Sequence, residues 1–246
     1  MPATPAWPPK SLPRLFVRTP LSDGARVDLD AAQANYLGNV MRLGVGAELL
    51  VFDGSSGEWL ARIAEAGKKR MTLFIEWQTR EREHVPDIWL AFAPVKRTQT
   101  DWLVEKATEL GAARLIPVIT QRTIAERVKL ERLEAIAIEA AEQCGRTVLP
   151  EIGEPLQLAR FLNQRDTSRT LYLADEGGGE KASDAFRGAP ACLLIGPEGG
   201  FTDEERAAVR AAPNAVPISL GPRILRAETA ALAALAAWMS AVGDWR

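Results

Sequence analysis

The sequence predicts an α/β protein in two parts: a small β-rich domain over residues 1–80 and, after a linker over 81–87, a larger domain over 88–246 carrying an open, largely parallel sheet. Three observations carry that expectation. Up to residue 78 the chain reads as short β-type runs (RLFV, AELLVF, EWLARIAEAG, RMTLFIEW) separated by hairpin signals such as Asp53-Gly54 and Ser56-Gly57. The stretch TREREHVPD that follows is charged, lacks an apolar period and contains Pro86, which marks a connection. Beyond it, apolar runs of strand length alternate with helix-period segments at the spacing of βα units.

Taken in order, the first part starts with a strand at Arg14 and is interrupted by one helical segment, about Ala31 to Met41, giving a small barrel-like domain with one helix. The second part opens with a buried-strand run, Ile88 to Pro94, and an amphipathic helix, Thr100 to Leu110, closed by Gly111. A strand from Arg114 to Thr120 follows. The segment Leu130 to Cys144 has Leu133, Ile136 and Ala140 along one helical face and stops at Gly145. Next come a helix near Leu156 to Asn163 and strands Thr170–Ala174 and Ala191–Ile195. The pattern closes with a helix Asp203–Ala212, a strand Val216–Leu220 and a last helix from about Arg226. Parallel sheets of this kind bind ligands outside the carboxyl ends of their strands, so the loops after Ile195 and Leu220 are the places to look.

Composition narrows the chemistry. With 47% hydrophobic and 25% charged side chains over 246 residues, the chain has an ordinary soluble globular balance. Its 30 Lys plus Arg against 32 Asp plus Glu leave a net charge of -2, so a nucleic-acid partner would need locally segregated cations. Such segregation exists on a small scale: residues 1–20 hold Lys10, Arg14 and Arg18 with no acid, and Lys68, Lys69 and Arg70 are consecutive. Two cysteines, Cys144 and Cys192, make no disulfide framework or zinc pattern, and the expectation is a cytoplasmic, metal-free protein. The N-terminus has no apolar core of a secretory signal. The run Ala227–Val242 is short and carries Glu228, which argues against a membrane span. The single histidine, His84, sits among linker charges, so Ser/His/Asp and Cys/His constellations are excluded. Acid–base work must fall to carboxylates, Lys, Arg or the substrate.

The first loop, Gly196-Pro197-Glu198-Gly199-Gly200, leads into a helix whose start is a T-x-x-E capping box, Thr202 to Glu205. Asp203, Glu204 and Glu205 crowd that first turn and would repel a phosphate, so a neutral base or a cationic group suits the loop better. The second loop, Leu220 to Thr229, sets two apolar residues, Ile224 and Leu225, between Arg223 and Arg226. Apolar side chains there can wall an adenine, and an arginine can face an oxygen-rich substrate. The helix after it is almost all alanine, suited to close packing within the fold or across a dimer interface.

These two loops, in LLIGPEGGFTDEE and LGPRILRAETAAL, resemble the last two motifs of the SPOUT class of S-adenosylmethionine-dependent RNA methyltransferases. In detail they are similar to the family that methylates N3 of a uridine in 16S ribosomal RNA. The likeness continues upstream through VMRLGVGAELLVFDGSSGEW, KRTQTDWLVEKATELGA and IEAAEQCGR, so it spans nearly the whole chain from Arg14. The resemblance implies a PUA-like RNA-binding β-barrel followed by an α/β sheet tied in a trefoil knot, with S-adenosyl-L-methionine bent between the two loops. It also implies a homodimer acting on 16S rRNA of the 30S subunit. On the motif match, Leu173, Gly196, Gly199, Leu220, Gly221, Ile224 and Leu225 would contact the cofactor.

Uridine N3 carries a proton at neutral pH, so its methylation requires that the anion be stabilised or the proton removed. Arg226 is the first candidate for holding the developing charge on O2 or O4; Glu198 and Glu228 are the carboxylate candidates, each with a structural reading as loop brace or helix N-terminal charge. Candidate RNA contacts are Arg14, Arg18, Arg42, Lys96, Arg97, Arg122 and Arg146, each of which alone could be a solvated charge. Competing readings are a SPOUT methyltransferase acting on another rRNA or tRNA nucleotide, and a non-catalytic RNA-binding assembly factor. A nucleotide-dependent oxidoreductase is disfavoured by the acidic helix start.

Overall fold

The computed structural model describes residues 12–67, 70–124 and 128–245; Lys10, Lys68 and Lys69 lie outside them. The chain forms two units. The first holds the residues up to 84 together with 142–148, and the second holds 85–141 and 149 onward. The chain thus first passes between the units after His84, and residues 142–148 return to the first.

In the first unit, β1 (Arg14–Phe16) pairs in parallel with β3 (Glu48–Phe52). β3 runs antiparallel to β4 (Glu58–Ala66), β4 to β5 (Met71–Arg80) and β5 to β2 (Arg26–Leu29), giving the order β1-β3-β4-β5-β2. Alternation along these strands buries Val27, Leu49, Val51, Ile63, Leu73 and Ile75 in one core. The expected helix is α1 (Ala31–Asn35), opened by an Asp30/Gln33 capping box and continued by a π-helical turn over Tyr36–Val40. Gly57, at φ +90°, is required by a close approach: a side chain there would run into the carbonyl of Arg80.

Glu58 explains why residues 142–148 join this unit. Its buried carboxylate accepts from Arg14 Nε at 2.8 Å and from Arg80 Nε at 3.0 Å and Nη2 at 2.8 Å. The same two guanidinium groups donate to the carbonyls of Glu142 (3.0 Å), Gly145 (2.7 Å) and Arg146 (2.9 Å). Carbonyls at the end of a helix have no partner within it, and arginines are suited to receive them.

The second unit is an all-parallel sheet in the order β11-β13-β10-β12-β6-β7-β8. In chain order its strands are β6 (Ile88–Phe92), β7 (Arg114–Ile119), β8 (Glu151–Ile152), β10 (Thr170–Ala174), β11 (Glu180–Lys181), β12 (Ala191–Ile195) and β13 (Ala215–Ser219), with β9 (Leu156–Gln157) beside β7. The helices are α2 (Arg97–Glu109), α3 (Leu130–Cys144), α4 (Leu158–Gln164), α5 (Ala182–Ala185), α6 (Asp203–Arg210) and α7 (Ala227–Val242). Both faces of the sheet are covered, as parallel sheets require. One face carries Leu90, Tyr172, Leu193 and Ile195 against Ala231, Ala234, Leu235 and Trp238 of α7. The other carries Leu171, Leu173, Cys192 and Leu194 against Phe161, Phe201 and Val209. Ala227, Ala231 and Ala234 of α7 thus serve close packing inside this unit. Adjacent β13, β10 and β12 end side by side, and the loops leaving them share one edge of the sheet.

Candidate active site

At that edge lies a cavity of about 570 Å³, lined by the loops after β10, β12 and β13, by Lys96 and Gln99 at the start of α2, and by Ala227 and Ala230 of α7. The loop after β12 is folded by its own side chains. Phe201 turns back beneath Gly196, where an added Cβ would lie 2.8 Å from the ring, and is 5% exposed. The capping box forms: Thr202 Oγ1 accepts from the Glu205 N–H, and Glu205 Oε2 accepts from the Thr202 N–H. Hydrogen bonds from its own backbone N–H and from Thr202 hold the exposed Glu204 carboxyl below the usual range, which keeps the helix start anionic and hostile to phosphate. From outside, Arg122 Nη1 donates to the carbonyl of Gly199 at 2.7 Å. The loop after β13 turns at Gly221 (φ +109°) and leaves Ile224 88% exposed beside Leu225 and the exposed Arg226.

Residues 81–239 match the family model described as an RNA methyltransferase domain, and residues 29–76 match the RNA methyltransferase PUA domain. The chain belongs to the RNA methyltransferase family. Among its relatives, the ribosomal RNA small subunit methyltransferase E of Rickettsia conorii is 31% identical, over 91% of this chain and 93% of that protein. The Synechocystis enzyme of the same name is 36% identical, over 86% and 72%. The crystal structure of the Neisseria gonorrhoeae ribosomal RNA small subunit methyltransferase E, bound to S-adenosyl methionine, superposes with a TM-score of 0.87 at 30% identity, covering 96% of this chain and 100% of that one.

In this methyltransferase the cavity brings together Gly196, Leu220, Gly221, Ile224 and Leu225 with Arg226, Glu198 and Lys96. Three expected residues are not among its lining, and each departure has a local cause. Leu173 is fully buried in the core on the opposite face of the sheet; strand side chains alternate, and it is Ala174, one residue on, that reaches the cavity. Gly199 faces the Arg122 side chain, and Gly200 takes its place at the wall. Glu228 is 7% exposed in the first turn of α7, its Oε2 has no partner among the described residues, and it stands where a helix N-terminal charge would.

The seven candidate RNA contacts separate in the same way. Arg14 and Arg146 are corrected: their side chains are 8% and 7% exposed, the first bound to Glu58 and the second beside Glu83 at 3.5 Å, so neither presents its charge to a solvent-borne phosphate. Arg122 is exposed but already bonded to the loop backbone. Arg18, Arg42, Lys96 and Arg97 are exposed, Arg42 with a left-handed backbone (φ 57°). Residue-by-residue reading missed Asp175, Glu176 and Arg206, which line the cavity from the β10 loop and from α6. The signal was present: Asp-Glu-Gly-Gly-Gly directly follows a predicted parallel strand, where the carboxyl-end rule also applies. Among the described residues no group of three or more His, Cys, Asp or Glu could hold a metal ion, and no helix is long and apolar enough to cross a membrane.

Proposed function

We propose that the chain transfers a methyl group from S-adenosyl-L-methionine to N3 of a uridine in 16S ribosomal RNA of the small subunit. The observation that carries this reading is a single cavity in which apolar walls and unengaged polar groups meet: Ala174, Ile195, Leu220 and Leu225 beside Glu198 and Arg226. About 570 Å³ is within the span of small-molecule sites, roughly 300–1,000 Å³. The walls suit an adenine, the glycines at 196, 200 and 221 allow close backbone approach, and the acidic first turn of α6 disfavours a phosphate.

When bound, the cofactor supplies an electrophilic methyl carbon: the N3 lone pair forms the N–C bond while the C–S pair returns to sulfur. The chain's own residues must manage the imide proton. Arg226, whose guanidinium has no partner among the described residues, stabilises negative charge on the uridine oxygens; Glu198, exposed at the same wall, takes the N3 proton. Alignment by the two loops adds to both effects. Arg18, Arg42, Lys96 and Arg97 supply phosphate contacts. A homodimer is part of the same reading, supported by Ile224, an apolar side chain left 88% exposed at the rim. The meeting of the loops after β12 and β13 over one cavity supports the knotted arrangement, and a ribosomal substrate implies a cytoplasmic site of action.

Transfer of a labelled methyl group to 30S subunits lacking the modification tests the proposal. Arg226→Ala is expected to lower turnover by roughly 100-fold or more with cofactor affinity within about threefold of wild type. Near-normal turnover would remove Arg226 from the chemistry.

A further inference from the structure

We infer that Glu176 is the acceptor for a ribose hydroxyl of the bound cofactor, a reading that rests on the S-adenosylmethionine assignment above. Its neighbour Asp175 cannot serve. Asp175 Oδ1 accepts from the Gly177 N–H at 2.8 Å and faces Arg206 Nη1 at 3.1 Å, while Oδ2 takes Arg210 Nε at 2.9 Å and Nη2 at 2.8 Å, so both oxygens are saturated. Glu176 differs in one respect that matters for a ligand. Its Oε1 takes Arg206 Nη2 at 3.1 Å, but Oε2 has no partner among the described residues, and the residue lines the cavity.

The position of this carboxylate is built. A Cβ on Gly200, which has φ +68°, would lie 2.7 Å from Glu176 Oε1. A Cβ on Gly177 would run into Arg206 Nη1. Two glycines from two loops thus leave room for the ion pair that holds Glu176 at the rim, an arrangement a plain tight turn does not need. Charge selects the class of donor. Asp175, Glu176, Arg206 and Arg210 are two carboxylates against two guanidinium groups, so the cluster is neutral and offers no excess negative potential to an ammonium. A neutral hydroxyl is the donor it matches, and a carboxylate is a strong acceptor for a hydroxyl. Lys96 and Gln99 follow β6, on the far side of β12 from β10, which leaves that part of the cavity for the amino-acid end of the cofactor.

The experiment measures equilibrium binding of S-adenosylhomocysteine, 5′-methylthioadenosine, which keeps the ribose and lacks the amino acid, and 2′- and 3′-deoxy forms of the latter. Glu176→Ala is expected to weaken the first two ligands alike, by about tenfold, and to bind one of the two deoxy forms with the same affinity as wild type. Gly200→Ala, which keeps the carboxylate but displaces it, is expected to show the same pattern, and thermal melting of both variants checks folding. Weakening confined to S-adenosylhomocysteine would overturn the inference in favour of the ammonium, and unchanged affinity for all ligands would reduce Glu176 to a loop brace. If wild-type protein bound none of these ligands, the cofactor assignment itself would fail; binding that ignores Glu176 would sink only this inference.

Discussion

Arg122→Ala separates two roles that a cation at this position can hold. The sequence offers Arg122 to RNA, whereas the structure has its Nη1 donating to the Gly199 carbonyl at 2.7 Å and, more weakly, to that of Phe201 at 3.4 Å, and a Cβ added at Gly199 would lie 3.5 Å from the Arg122 stem. A hydrogen bond from a charged group is worth roughly 1.5–3 kcal/mol when buried; Arg122 is exposed, so about 1 kcal/mol is the reasonable figure. That energy holds the Gly196–Phe201 loop in the form that lines the cavity. Losing it lowers the binding-competent fraction and raises the apparent cofactor Kd by about fivefold. Calorimetry with S-adenosylhomocysteine in the absence of RNA reads this directly. RNA affinity across a salt series gives the complementary reading, because loss of a phosphate contact makes the slope of log K against log salt shallower by about 0.7–0.9. Unchanged cofactor affinity together with a shallower salt slope would refute the brace and restore the RNA role.

Three further outcomes follow from the same geometry. Ala174→Leu is expected to abolish measurable cofactor binding at near-normal stability, whereas Leu173→Ala should cost about 2–5 kcal/mol in denaturant unfolding with little direct effect on affinity; the reverse pattern would mean that β10 is read one residue out of phase. Burial pushes the Glu58 carboxyl up, but hydrogen bonds and charge from Arg80 and Arg14 outweigh it and hold it below the usual range. The stability it contributes is present above the ordinary carboxylate pKa and lost as pH falls through the depressed one, so Glu58→Gln should lower stability at neutral pH by about 3 kcal/mol and flatten its fall toward acid. Equal acid sensitivity in both proteins would count against the cluster. The Cys192 thiol, 2% exposed and pushed up to about 12 chiefly by burial, should resist thiol reagents at pH 8 until the chain unfolds; two reactive thiols in the native protein would contradict its placement.

The strands that flank the site were legible because their runs are apolar and bounded: TLYLA and ACLLI are strands from Thr170 to Ala174 and from Ala191 to Ile195, as expected. The Thr202–Glu205 box marked the start of α6 for an equally local reason. Features that depend on distant partners were not legible. β2, four residues of RVDL, becomes a strand only by pairing with β5, and β8, β9 and β11 are two-residue bridges. Residues 142–148 join the first unit because Arg14 and Arg80 receive their carbonyls, which no periodicity records. The same pairing took Arg14 out of the solvent-facing set. Leu173 shows the limit most simply: a run of apolar residues buried on both faces does not say which one ends beside the cavity.

The central claim is the nucleoside that carries the methyl group. Incubation of unmethylated 30S subunits with this protein and methyl-labelled S-adenosylmethionine, followed by complete digestion and mass analysis, is expected to give N3-methyluridine from one site in 16S RNA. Label recovered instead at uridine C5, on a ribose hydroxyl or on another base would contradict the account.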